Sequence, residues 1–364
     1  MKGKILIVIG TRPNFIKVTQ FKERARAYSN LEIKIVHTGQ HYDAKMADVF
    51  FEQFELTPDY FLNISGKTAN TQMSEIMVGI EKTAKEFLPD LIMVVGDVNS
   101  TLAAAITANK LNIKLAHLES GLRSYDRSMP EEINRLLTDE ITDYFFVTEQ
   151  SGWDNLIKEG KKKEQIFFVG NTMIDTMVAF EQKIDDSGIL NELKLKKENF
   201  VLVTIHRPAT VDVKEELRKL MNLIEIVSEK WKIVFPVHPR TVNNFKKFNL
   251  YDQFLKTKNI CVIEPLDYFG FQKLIKDCKF ILTDSGGIQE ESTFRGKPCI
   301  TLRPNTERPS TTKEGTNTLV PFDLKSIQKI ILEIESNTYK KGTVPEKWDG
   351  RSTERILKIL NELF

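Results

Sequence analysis

The chain is poor in the residues that build covalent or metal-held scaffolds: its 364 residues include only 3 cysteines and 5 histidines. Cys261, Cys278 and Cys299 are too few for a disulfide framework. None stands in a CxxC or His-rich spacing, which excludes the zinc motifs and points to a reducing cytoplasm. Charge of one sign is lacking too. The 52 Lys and Arg stand against 50 Asp and Glu, a formal net charge of +2, so the chain is not built to coat nucleic acid. A phosphate site needs only a few local cations, and the balance leaves the substrate open. Long apolar runs are missing as well, none approaching the roughly 20 residues of a membrane span. The opening run Lys4–Ile9 gives way at once to Gly10-Thr11-Arg12-Pro13. It is too short for a secretory h-region and has no small-residue cleavage site. These absences predict a soluble cytoplasmic protein with neither nucleic acid nor membrane among its partners.

Hydrophobic residues at 41% and charged residues at 28% fit a globular chain with substantial cores, and the length suggests two domains at roughly 100–200 residues each. Short apolar runs at Lys4–Ile9, Ile33–His37, Leu91–Val95, Lys114–Leu118, Tyr144–Thr148 and Ile166–Val169 alternate with helical stretches such as Ser100–Leu111 and Pro130–Glu140. The runs lack period-2 alternation, the mark of strands covered on both faces, so they predict a parallel sheet flanked by helices. After Gly170 the rhythm restarts at Phe200–Ile205, Lys232–Val237, Cys261–Glu264, Phe280–Thr283 and Pro298–Leu302. Between the first two of these, Leu217, Leu220, Met221, Leu223, Ile224 and Val227 form an apolar stripe on a helix spanning Lys214–Trp231. The expected architecture is α/β, two doubly wound domains (1–170 and 171–350) facing a cleft, with a last helix over 351–364 packing back on the first.

Ligands of such sheets bind at the carboxyl ends of the strands, where the polar signals cluster. Gly10-Thr11-Arg12-Pro13-Asn14-Phe15-Ile16-Lys17 follows the first strand; it is either an ordinary capped turn or an anion site served by Arg12 and Lys17. Asp284-Ser285-Gly286-Gly287 leads from a buried strand into a helix, where backbone N–H groups can approach a diphosphate, with Glu291 one turn further to accept from a ribose diol. It is neither a Walker A loop nor GxGxxG, so neither ATP nor NAD is indicated. Asp97, Glu119 and Glu131 stand at three separate strand or helix ends, a set able to carry acid and base on two faces of a substrate. Glu132 reads as complementing the helix dipole, and Glu131 is balanced between that role and chemistry. His37, His41, His117, His206 and His238 all fall at or just beyond strand ends. The first and third read as structural, and His206 and His238 as phosphate or acid–base groups. Phe269 and Phe271 suit a core as well as stacking on a base. Ser285 lacks the setting of a nucleophile.

Taken in order, GTRPNFIK, TGQHYD, GDVNSTLA, HLESGLRS, MPEEINR, GNTMID, TIHRP, PVHPRT, EPLDYFGF, LTDSGGIQEE and NTERP resemble the non-hydrolysing UDP-N-acetylglucosamine 2-epimerases from residue 3 to about residue 320. The resemblance implies a glycosyltransferase-B-like fold of two Rossmann-like domains and a homodimer. It implies that a UDP-sugar is converted without a cofactor: UDP leaves to give a 2-acetamidoglucal and returns after protonation of C2 on the other face. By resemblance Asp97, Glu119, Glu131 and His206 are catalytic. Arg12, Lys17, His238, Ser285, Gly286 and Gly287 hold phosphates, Glu291 holds the ribose, Leu266 and Phe271 lie near the uracil, and Arg308 lies near the sugar. Such activity feeds cell-surface polysaccharide synthesis. Three departures stand out. Asn14 replaces a usual Glu, His206-Arg207-Pro208 replaces a His-Arg-Arg-Glu form, and the 38–43 block differs from the Gln-His-Arg form near which some members bind an activating UDP-GlcNAc. The Arg-Pro-x-Phe-Ile-Lys run also resembles the branch that epimerises UDP-2,3-diacetamido-2,3-dideoxy uronates, and a hydrolysing 2-epimerase releasing ManNAc and UDP shares the architecture.

Overall fold

The computed structural model describes residues 2–39 and 51–364; His41 and most of the 38–43 block lie outside them. The chain forms two compact units, one of Met1–Ala179 with Glu346–Phe364 and the other of Phe180–Pro345. Among the described residues no helix is long and apolar enough to cross a membrane.

The first unit carries seven parallel strands: β1 (Gly3–Ile9), β2 (Leu31–His37), β3 (Tyr60–Phe61), β4 (Leu91–Val95), β5 (Lys114–Leu118), β6 (Tyr144–Val147) and β7 (Ile166–Phe168). They lie in the order β3-β2-β1-β4-β5-β6-β7. All five residues of β4 are buried, as a run without alternation requires when helices cover both faces. The helix Asn99–Lys110 presents Ala103, Ala104, Ala105 and Ala108 to the core, small side chains that let it sit close to β1 and β4. β3, two residues long and paired with the end of β2, is too short to carry a periodic signal and was not anticipated.

The closing helix Ser352–Leu363 belongs to this unit, as expected. Its first backbone amides, Ser352 and Thr353, donate to the buried Asp175 carboxylate at 3.0 and 2.6 Å, so an acidic side chain from another helix supplies the cap. Before it, the fully buried Trp348 donates its indole N–H to the Thr148 carbonyl at 2.9 Å.

The second unit carries β8 (Phe200–Thr204), β9 (Lys232–Pro236), β10 (Ile260–Ile263), β11 (Phe280–Thr283), β12 (Cys299–Leu302) and β13 (Asn317–Val320), again all parallel, in the order β10-β9-β8-β11-β12-β13. The predicted stripe from Leu217 to Val227 is buried along the helix Lys214–Ser228. It packs against Val201, Val203, Phe235 and Phe280. β13, four residues opening on Asn317 at the sheet edge, was also missed. In each sheet the strand order reverses once, between β1 and β4 and between β8 and β11. Crevices at the carboxyl ends of such strand pairs are where doubly wound sheets bind ligands.

Candidate active site

In the first unit the loops beyond β1, β4 and β5 converge. After β1 the Asn14 side chain is buried and ties the turn down. Its Oδ1 accepts from Gly10 N–H at 3.3 Å and Thr11 Oγ1 at 3.0 Å, and its Nδ2 donates to the Val95 carbonyl at 3.2 Å. Lys17, one turn on, sends its ammonium to the carboxylate of Glu119 beyond β5, with side chains 8% and 4% exposed. Glu119 holds a left-handed backbone, φ 73°, sparsely populated for a glutamate and found preferentially where function imposes a conformation. Between them runs Gly96, also left-handed. A side chain there would meet Asn14 Nδ2 at 3.1 Å, Glu119 Oε2 at 3.8 Å and Lys17 Nζ at 3.9 Å. Asp97 follows. Its side chain, a quarter exposed, pairs with Arg135, and its carbonyl accepts from Asn134 Nδ2 at 2.9 Å.

The helix Pro130–Glu140 divides its two leading glutamates. Glu131 is exposed in the first turn. Glu132 is 1% exposed and accepts from Ser124 N–H and Oγ, Tyr125 N–H and Arg135 Nη1 at 2.9, 3.0, 3.0 and 2.5 Å. Glu132 therefore fastens the preceding loop rather than answering the helix dipole alone. Arg135 spans Glu132 and Asp97. His117 is structural in its contacts: fully buried, with Nδ1 2.6 Å from Asp139 and Nε2 2.7 Å from the Gly96 carbonyl. Burial would raise the Asp139 carboxyl, but His117 and Arg123 outweigh it and hold it below the ordinary value. His37 stacks on Phe61 at 5.0 Å, and burial lowers it to about 4.

In the second unit the centre is Asp284, directly after β11 and fully buried. Its carboxylate accepts from the His206 backbone N–H at 3.1 and 3.0 Å and from Arg207 N–H at 2.8 Å. The His206 imidazole Nδ1 lies 3.2 Å from Oδ1. The His238 ring is 5.8 Å from that of His206. His238 caps the helix Pro239–Lys247, accepting from Arg240 N–H at 3.1 Å. Burial lowers the His238 pKa; His206 and Arg240 add to that and Asp284 opposes it. Ser285 stands at the N-terminal boundary of the helix Gly286–Phe294, in extended backbone. Gly286 permits a close approach: a Cβ there would lie 2.8 Å from Glu307 Oε1 and 2.9 Å from Arg308 Nη1.

Arg308 belongs to a buried charge set. Its Nε lies 2.8 Å from Glu290, it pairs with Glu307, and Glu307 also holds Arg303 Nη2 at 3.0 Å. Burial first, then Arg207 and Arg308, lower the Arg303 pKa against the pull of Glu307. Glu291 is buried, 6% exposed, on the same helix as Gly286. Leu266 and Phe271 pack half-buried against the cluster that holds Leu274, Ile275 and Ile288.

The structure thus gathers Lys17, Glu119 and, through Gly96, Asp97 in one unit, with Arg12 exposed at the head of the turn and Glu131 at the mouth of its helix. In the other it gathers His206, His238, Ser285 and Gly286 around Asp284, with Gly286 against Arg308. Sequence reasoning did not single out Asp284, Arg135 or the Arg303–Glu307 pair. Asp284 was legible in principle, because an acidic residue ending a fully apolar strand before Ser-Gly-Gly stands at a ligand-binding crevice. Arg135 was legible as the i+3 partner of Glu132.

A family model described as UDP-N-acetylglucosamine 2-epimerase matches residues 23–361. A UDP-N-acetylglucosamine 2-epimerase of Methanocaldococcus jannaschii is 42% identical over 366 residues, covering 98% of each chain. A UDP-2,3-diacetamido-2,3-dideoxy-D-glucuronate 2-epimerase of Pseudomonas aeruginosa is 38% identical over 87% of this chain and 88% of its own. Among solved structures, the UDP-GlcNAc 2-epimerase of Methanocaldococcus jannaschii, in complex with UDP-GlcNAc and UDP, superposes with a TM-score of 0.88 at 40% identity over 99% of both chains.

Proposed function

The chain belongs to the UDP-N-acetylglucosamine 2-epimerase family, and on that premise we propose that it interconverts UDP-GlcNAc and UDP-ManNAc without hydrolysing them. The observation that carries the reading is the end-to-end match to a relative solved with UDP-GlcNAc and UDP. The chemistry has definite demands. The C2 proton is weakly acidic, so the C1–O bond must break as that proton leaves, the electron pair passing to the UDP oxygen and a C1–C2 double bond forming. Return of UDP to C1 with a proton delivered to the opposite face of C2 gives the epimer. Proton transfer on two faces needs more than one group, and general acid–base groups of this kind contribute roughly 10²–10⁴-fold each.

Asp97, Glu119 and Glu131 are assigned to the protons and to the positive charge that develops at C1. His206 is assigned to the departing diphosphate. Arg12, Lys17, His238, Ser285, Gly286 and Gly287 are assigned to the phosphates, Glu291 to the ribose, Leu266 and Phe271 to the uracil, and Arg308 to the sugar. The ordering of Asp97 by Arg135 and of Glu119 by Lys17 supports this reading, because each carboxylate is held in a fixed place by a cation beside it. The proposed role is supply of UDP-ManNAc for cell-surface polysaccharides by a cytoplasmic homodimer.

The test is incubation with UDP-GlcNAc in deuterated water containing EDTA, followed by proton NMR. UDP-ManNAc carrying deuterium at C2 is the expected result. Free ManNAc with UDP would assign the hydrolysing reaction instead. An unchanged spectrum, with turnover of the UDP-diacetamido uronate, would move the chain to the branch of its Pseudomonas aeruginosa relative.

A further inference from the structure

We propose that Asp284 is the positioning residue for His206, holding its imidazole with Nδ1–H toward the carboxylate and leaving Nε2 as the nitrogen that meets substrate. The inference rests on the reading above only in giving His206 a reaction to serve. The carboxylate is fully buried, whereas the His206 side chain is 43% exposed. A buried charge persists only where donors surround it, and here the donors are the His206 and Arg207 amides, with the imidazole 3.2 Å away. The two amides fix where the His206 backbone sits, and the ring lies beside the same carboxylate with Nδ1 3.2 Å from Oδ1.

The strands beneath make the arrangement stiff. Thr204 pairs in register with Thr283, their hydroxyls are 2.7 Å apart, Asp284 N–H donates to the Thr204 carbonyl at 3.2 Å, and Ser285 N–H donates to Thr283 Oγ1 at 3.0 Å. The pair therefore sits at the point where the strand order reverses, on backbone that cannot slide. An imidazole with one nitrogen directed at a carboxylate is confined to one tautomer and one orientation, with its other nitrogen turned outward. This is what a group serving a departing diphosphate oxygen requires.

The primary experiment is ¹⁵N NMR of the imidazoles in the unaltered protein. Only five histidines contribute signals, and those of His206 are identified by their loss in His206→Gln. An Nδ1–H tautomer for neutral His206 is expected, and an Nε2–H tautomer overturns the proposal whatever the substrate proves to be. Asp284→Asn keeps an oxygen for the amides but removes the charge. It is expected to mix the tautomers and lower kcat on the order of 100-fold, the lower end for a positioned proton-transfer group, with KM and the UDP Kd within about twofold. Unchanged kcat, or loss of UDP affinity with the tautomer intact, also overturns it. If Asp284→Asn does not fold, the spectrum of the unaltered protein still decides. Absence of epimerase activity in the unaltered protein refutes the functional reading and leaves the tautomer measurement standing.

Discussion

Replacing Lys17 by Met keeps the length of the stem and removes the ammonium from Glu119. Two regimes compete for the magnitude. An exposed ion pair contributes about 0–1 kcal/mol, whereas taking one partner from a buried pair costs about 3–5 kcal/mol, because the remaining charge is stranded in a poor solvent. Side chains 8% and 4% exposed put Lys17 and Glu119 in the second regime. The Glu119 backbone cannot readily turn its carboxylate out to water, since its N–H is held by the Phe146 carbonyl at 3.0 Å.

The assay is equilibrium unfolding in urea followed by tryptophan fluorescence. Trp153 and Trp348 lie in the first unit and Trp231 in the second, so a Trp231→Phe background reports on the first unit alone. With a slope of about 2 kcal/mol per molar urea, the midpoint should fall by roughly 1.5–2.5 M. Glu119→Gln in the same background removes the stranded charge, so the double variant should be more stable than Lys17→Met by itself, a coupling measurable in a double-mutant cycle. A loss under about 1 kcal/mol, or additive effects in the cycle, would show that the ion pair contributes nothing beyond an exposed pair. If UDP affinity falls while stability holds, the phosphate role assigned to Lys17 stands and its pairing with Glu119 carries no stability.

Further outcomes follow from other buried groups. His37 is lowered by burial to about 4 against about 6.5 unfolded, so between those values the unfolded chain binds the extra proton and stability is lost as pH falls. The loss should reach about 2 kcal/mol between pH 7 and pH 5. His37→Phe should flatten that slope in urea titrations, and an identical slope in both proteins would count against it. Burial also holds the Asp175 carboxyl above its ordinary value, although the Ser352 and Thr353 amides oppose the shift. Asp175→Ala leaves those two amides without their acceptor and should cost about 3 kcal/mol. Hydrogen exchange should show it as lost protection along Ile356–Leu360, and protection equal to that of the unaltered chain would refute the capping role.

Much of the scaffold was legible because both sheets are parallel and covered on both faces. Their strands are near-continuous apolar runs, and most long helices show a clear stripe. β3 and β13 escaped because an edge strand of two or four residues needs only a neighbour's backbone, not a pattern of its own. In the candidate site, the residue types and their places at strand ends could be read directly, but their partners could not. Glu131 and Glu132 are adjacent and identical, yet one is exposed and the other takes four hydrogen bonds. Nothing local separates them except the loop 124–125, which the fold lays over one of them.

Fold class, family and the strand ends at which polar residues accumulate can be read from the chain alone, since these follow from periodicity and from motifs contiguous in it. Which cation serves which carboxylate is set by the fold. Lys17 and Glu119 are 102 residues apart, Asp97 and Arg135 are 38 apart, and His206 and Asp284 are 78 apart by backbone amide. Such pairs arise from the order in which parallel strands are laid side by side. For Lys17 and Glu119, buried on both sides, burial then fixes the energetics by removing the water that would otherwise screen each charge from its partner.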